Sequence, residues 1–155
     1  MSNALAIAAV TATLRKILDD GIKQELAGAS VTTQPPDKAD TTTNLINLFL
    51  YQTMVNAAWR NMDMPRQVKP GETGQPPLAL NLCYLVTAYG KGDDSPDPLS
   101  HRLLGRAMSI LHDHPVLSSA DIRSALPLAD QPLYDLYDQV EHVRIIPQQL
   151  SLDEM

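Results

Sequence analysis

The chain has 155 residues, 44% hydrophobic and 19% charged, a balance that fits one globular domain and excludes the disordered class. Twelve lysines and arginines against 18 aspartates and glutamates give a formal net charge of −6, which disfavours a generic nucleic-acid binder, because phosphate neutralisation needs clustered cations. One cysteine, Cys83, excludes an internal disulfide and a thiolate metal cage, and the apolar stretches are too short and interrupted to span a bilayer.

The N-terminal run superficially suggests a secretory signal, but its charges follow the apolar stretch instead of preceding it. It reads as a helix capped by Ser2 or Asn3, in a protein assembled in the cytoplasm. Leu5, Ile7, Val10, Leu14, Ile17, Leu18 and Ile22, with Ala8, Ala9 and Ala12, make its first half apolar nearly all round. Such a helix is buried or meets a partner subunit.

Ser30 to Gln34 is short and β-branched and ends at Pro35-Pro36, so it predicts a strand. Asp37 to Thr43 is a polar turn. From Asn44 to Thr53 the alternation of Ile46, Leu48 and Leu50 against Asn47, Phe49 and Tyr51 predicts a second strand. Arg66 to Pro77 is an extended loop rich in proline and glycine. A long strand follows, with Leu78, Leu80, Leu82, Tyr84, Val86 and Ala88 on one face and Cys83, a small buried hydrophobe, on the other. The two long strands pair antiparallel at the centre of a sheet.

Asp97 as N-cap and Pro98 at the first helical position open a helix whose stripe of Leu99, Leu103, Leu104, Ala107, Met108, Ile110 and Leu111 runs to His112, and Pro115 ends it. A short helix over Ser119 to Leu126 and a strand from Val140 to Ile146 complete the pattern. This is an α+β fold: a mainly antiparallel sheet of about four strands, with the N-terminal helix and a second long helix packed on it.

The search for chemistry assembles no active site. His112 and His114 flank Asp113, but residues two apart on a helix point in different directions and no second donor pair completes four ligands. The dipole at a helix C-terminus accounts for them without metal. Asp93, Asp94 and Asp97 lack the alternation of a calcium loop, and no phosphate loop or nucleophile elbow occurs. Trp59, Arg60 and Arg66 pack over a sheet edge or form a contact surface, since Trp and Arg anchor interfaces. Candidate interface residues are thus Leu5, Ile7, Val10, Trp59, Arg60 and Arg66. No catalytic residue, cofactor or metal is expected. A non-catalytic small-molecule or peptide-binding module is the alternative, and it needs an enclosed apolar pocket. At the C-terminal end, Ser151-Leu152-Asp153-Glu154 has the spacing of a capping box, as if another helix began there.

Three blocks carry a resemblance: NLFLYQTMVNAAWRNMDMPR (Asn47 to Arg66), PPLALNLCYLVTAYG (Pro76 to Gly90) and SHRLLGRAMSILHDHPVL (Ser100 to Leu117). With the opening SNALAIAAVTATLRKIL and the closing RIIPQQLSLDEM, the chain resembles the N-terminal domain of cap proteins from phage-tail-like contractile injection systems. Cys83 stands where that family usually has an aromatic or aliphatic residue. The resemblance implies that residues 1–155 are one domain, truncated at the C-terminal end. It also implies a structural role, a hexameric ring closing the distal end of the inner tube and contractile sheath. The partners are then further copies of the chain and the tube and sheath proteins, with no nucleic acid and no membrane, in a particle that acts outside the cell.

Overall fold

The computed structural model describes residues 5–24, 26–40, 42–57, 79–91, 98–126 and 143–148. Helix α1 (Ala6–Lys23) buries Ala9, Val10, Thr13, Leu14, Leu18 and Ile22, one stripe at helical spacing. Thr13 sits at 0% exposure because its hydroxyl donates to the Ala9 carbonyl at 2.7 Å. Ala8 is exposed and Leu5 and Ile7 are half-buried, so the first turns are covered on one side only. The N-cap is Leu5, with no side-chain cap, and Ser2 and Asn3 lie outside the described residues.

Gly28, at φ 91°, turns the chain from α1 into β1 (Ser30–Thr32). A short 3-10 turn (Pro36–Lys38) leads to β2 (Leu45–Val55), which pairs with β3 (Leu80–Tyr89). The sheet order is β1-β2-β3. The β2–β3 pair is antiparallel as expected, but β1 runs parallel to β2, with Ser30 opposite Leu45 and Thr32 opposite Asn47. The strand pairing is thus mainly antiparallel with one parallel edge strand, and the strands divide into a three-stranded and a two-stranded sheet in place of one sheet of about four. Parallel neighbours need a crossover of about a dozen residues, and residues 33–44 supply it.

Pro98 is the N-cap of α2 (Leu99–Asp113), one position earlier in the helix than expected, and Asp97 lies outside the described residues. The buried stripe of α2 is Leu103, Ala107 and Ile110. Leu104 and Leu111 are half-buried, and Met108 is 60% exposed. The helix is thus rotated from the expected stripe toward Ile110. After Pro115 come β4 (Val116–Leu117), α3 (Ser119–Ala125) and β5 (Val143–Arg144). The expected last strand, Val140 to Ile146, shrinks to those two residues and pairs with β4 as a separate two-stranded sheet.

Helix α1 packs against α2, α3 and β1, while α2 lies over β2 and β3. Val31, Ile46 and Leu48 join the two helices in one core, with Leu82, Tyr84, Val86 and Ala88 packed against it. At the crossing of α1 and α2, a β-carbon built at Gly21 would lie 2.5 Å from Ile110 Cδ1. Gly21 therefore sets how closely the helices approach.

Candidate assembly interface

The β2–β3 ribbon has two halves. Leu45 to Leu48 are all buried, Phe49 and Leu50 half-buried, and every residue from Tyr51 to Val55 is exposed. The register slips at Tyr51, between the Leu50–Tyr84 and Gln52–Cys83 pairs, as a β-bulge. Beyond the bulge β2 is exposed, while Leu82 of β3 still packs against the core. Tyr51 (42%), Met54 (39%) and Val55 (51%) offer large apolar surface there. The pair still holds to its end, because the Asn56 amide donates to the Ala79 carbonyl at 2.9 Å and Asn56 Nδ2 donates to Asn81 Oδ1 at 3.0 Å.

The two edges of the sheet differ as well. The β1 edge is three residues long and closes at Pro35-Pro36. Its Val31 carbonyl accepts from Arg15 Nε at 3.1 Å, and the nearby Gln34 carbonyl from Asn47 Nδ2 at 2.9 Å. The β3 edge is ten residues long, with no charged side chain and no proline. Among the described residues, no strand lies beside it on the side away from β2.

The face of the sheet away from the helices carries a buried polar centre. Asn47 is 0% exposed, and its Oδ1 accepts from Thr32 Oγ1 at 2.9 Å. Thr87, directly opposite Asn47, holds a buried hydroxyl with no hydrogen-bond partner.

Of the residues expected at an interface, Val10 is 6% exposed and belongs to the core. Leu5 and Ile7 sit on the half-covered first turns of α1. One turn on, Thr11 Oγ1 donates to the Ile7 carbonyl at 3.0 Å and lies 2.7 Å from the Tyr84 hydroxyl, pinning α1 to β3. Burial pushes the Tyr84 phenol up, and the Thr11 bond pulls it partly back. Trp59, Arg60 and Arg66 lie outside the described residues. Cys83, expected to be buried, is half-buried opposite Gln52.

His114 closes α2, with Nδ1 2.8 Å from the Ile110 carbonyl. Among the described residues, no three His, Cys, Asp or Glu side chains come together as a metal site would require. Ser118 and Asp121 form a capping box on α3 that the sequence reading missed. The Asp121 amide donates to Ser118 Oγ at 3.2 Å, and the Ser118 amide to Asp121 Oδ2 at 2.9 Å. The signal was readable as Ser-x-x-Asp just after Pro115. Hydrogen bonds from Ser118 hold the Asp121 carboxyl below its ordinary range, and those from Thr42 do the same for Asp40. An apolar cavity under Leu99 and Leu103 holds about 10 Å³, room for about one water. No helix among the described residues is long and apolar enough to cross a membrane.

No curated protein matches the chain. A solved structure does, described as the "PVC sheath/tube terminator in extended state" of an extracellular contractile injection system. The match has a TM-score of 0.56 at 16% identity over 79% of this chain, and this chain spans 42% of that one. The likeness is therefore one of fold. Residues 9–155 match the Pvc16 N-terminal domain, and with nearly its whole length inside that match the chain belongs to the Pvc16 N-terminal domain family.

Proposed function

We propose that this chain is a structural, non-catalytic part of a terminator that closes the tube and sheath of a contractile injection particle. The observation that carries the reading is family membership together with the shared fold of a chain described as a sheath/tube terminator. The geometry supports it, since a terminator works through surfaces and edges, and this domain keeps an apolar ribbon end and an uncharged strand edge outside its own core. Six copies form a ring through a heterologous contact that returns to its start. Since each copy carries −6, that contact rests on apolar surface rather than on charge attraction. The partners are tube and sheath proteins, joined in the cytoplasm before the particle leaves the cell.

The test is the length distribution of particles assembled with and without this protein, measured by negative-stain electron microscopy. The reading predicts uniform lengths with it, and variable lengths or unstable tubes without it. Unchanged length and stability in its absence would refute a terminator.

A further inference from the structure

A ring built from one kind of subunit needs two different surfaces on each copy, and the two must fit each other. Among the described residues, five of the six large exposed hydrophobic side chains gather in two places. One is the end of the β2–β3 ribbon, with Tyr51, Met54 and Val55. Met54 and Val55 are consecutive and point to opposite faces, so the ribbon end is apolar on both, and neither strand carries a charge. The other is the outer face of β4–β5. Leu117, Val143 and Ile145 turn inward to the core. Val116 stands opposite Arg144, and Ile146, two residues further on and 78% exposed, continues the same face. The Ile145 amide donates to the Pro115 carbonyl at 2.9 Å and carries the pairing past Arg144.

Resting on the terminator reading, we propose that these are the two halves of the ring contact: the β2–β3 ribbon end of one copy packs on the outer face of β4–β5 of the next. Val116 and Ile146 cover apolar side chains of the ribbon end. Arg144 meets the Tyr51 ring, a partner that a guanidinium takes without a counter-charge. Charge selects a second copy as the occupant. At −6 per chain, copies repel wherever acidic surface meets acidic surface. The ribbon end is neutral, and Arg144, exposed between Val116 and Ile146, has the sign that attracts an acidic neighbour. Two ribbon ends set against each other would be related by a two-fold axis, which closes a dimer and stops a ring. The receiving surface is therefore a different one.

The experiment replaces Val55 of the full chain by the photo-crosslinker p-benzoylphenylalanine and maps its adducts in assembled particles by mass spectrometry. Adducts are expected on residues 143–148 of a second copy, with a ladder of linked chains on a denaturing gel. Adducts on a tube or sheath chain, or on the ribbon end of a second copy, would overturn the inference while leaving the terminator reading intact. Adducts confined to the same chain would overturn it too. Absence of the protein from particle ends would remove both. As a second check, Val55→Asp sets a carboxylate at the centre of the contact, on a side chain that is 51% exposed within its own chain. Incorporation into particles is expected to fall at least about tenfold, because the contact would bury an unpaired charge. A folded Val55→Asp chain that incorporates normally would also overturn the inference.

Discussion

The two halves of β2 make an instructive contrast. Leu45 to Leu48 and Tyr51 to Val55 belong to one strand, pair with one partner and are both rich in large side chains. The first half is at most 2% exposed, while in the second Tyr51, Met54 and Val55 are 39–51% exposed. The difference is not one of hydropathy. On the helix side Ile46 and Leu48 lie in the core shared with α1 and α2, Leu45 and Asn47 are buried on the opposite face, and the exposed half begins at the bulge at Tyr51. The first half belongs to the buried interior, and the second leaves apolar surface exposed.

That division is broken or sharpened by substitution. Ile46→Ala removes a side chain at 0% exposure from the shared core and is expected to cost about 2–5 kcal/mol in urea unfolding. A cost under about 0.5 kcal/mol, the level of an ordinary surface change, would mean that the covered half is not the core. Asn47→Ala leaves the Thr32 hydroxyl and the Gln34 carbonyl without their partner, and is expected to cost about 1–3 kcal/mol. Ser118→Ala removes the cap of α3 and is expected to cost about 1 kcal/mol.

The cap also has a sign in pH. The folded-state carboxyl of Asp121 is lowered, so its contribution is full above the ordinary carboxylate range. It fades as pH falls through the folded value, and Ser118→Ala should therefore flatten the acid side of the stability profile. The smallest effect is expected in the exposed half, where Met54→Ser should change stability by no more than about 0.5 kcal/mol while weakening assembly.

Much of the fold was legible. Period-two alternation located β2 and β3 and their antiparallel pairing, and period 3.6 located α1 and α2. What stayed hidden depends on where the chain returns to in space. The parallel seat of β1 follows from the path of residues 33–44, and a three-residue strand carries no directional signal. In α2, Leu104 and Met108 form as good a stripe as Leu103, Ala107 and Ile110, and packing on α1 and on the sheet selects the second. The candidate interface was read at Leu5, Ile7 and Val10 of the N-terminal helix and at Trp59, Arg60 and Arg66; Val10 belongs to the core, the last three lie outside the described residues, and among the described residues the large exposed hydrophobics are Tyr51, Met54, Val55, Met108, Val116 and Ile146. An eleven-residue strand with no charge on either face was the available sign that apolar side chains extend past the covered core.

The central claim is that this domain sits at the end of the particle, and cryo-electron microscopy of intact particles tests it most directly. The account predicts density at the end distal to the baseplate in which six copies of this fold form a closed ring on the last tube and sheath layer. Ends built without this chain would contradict the claim.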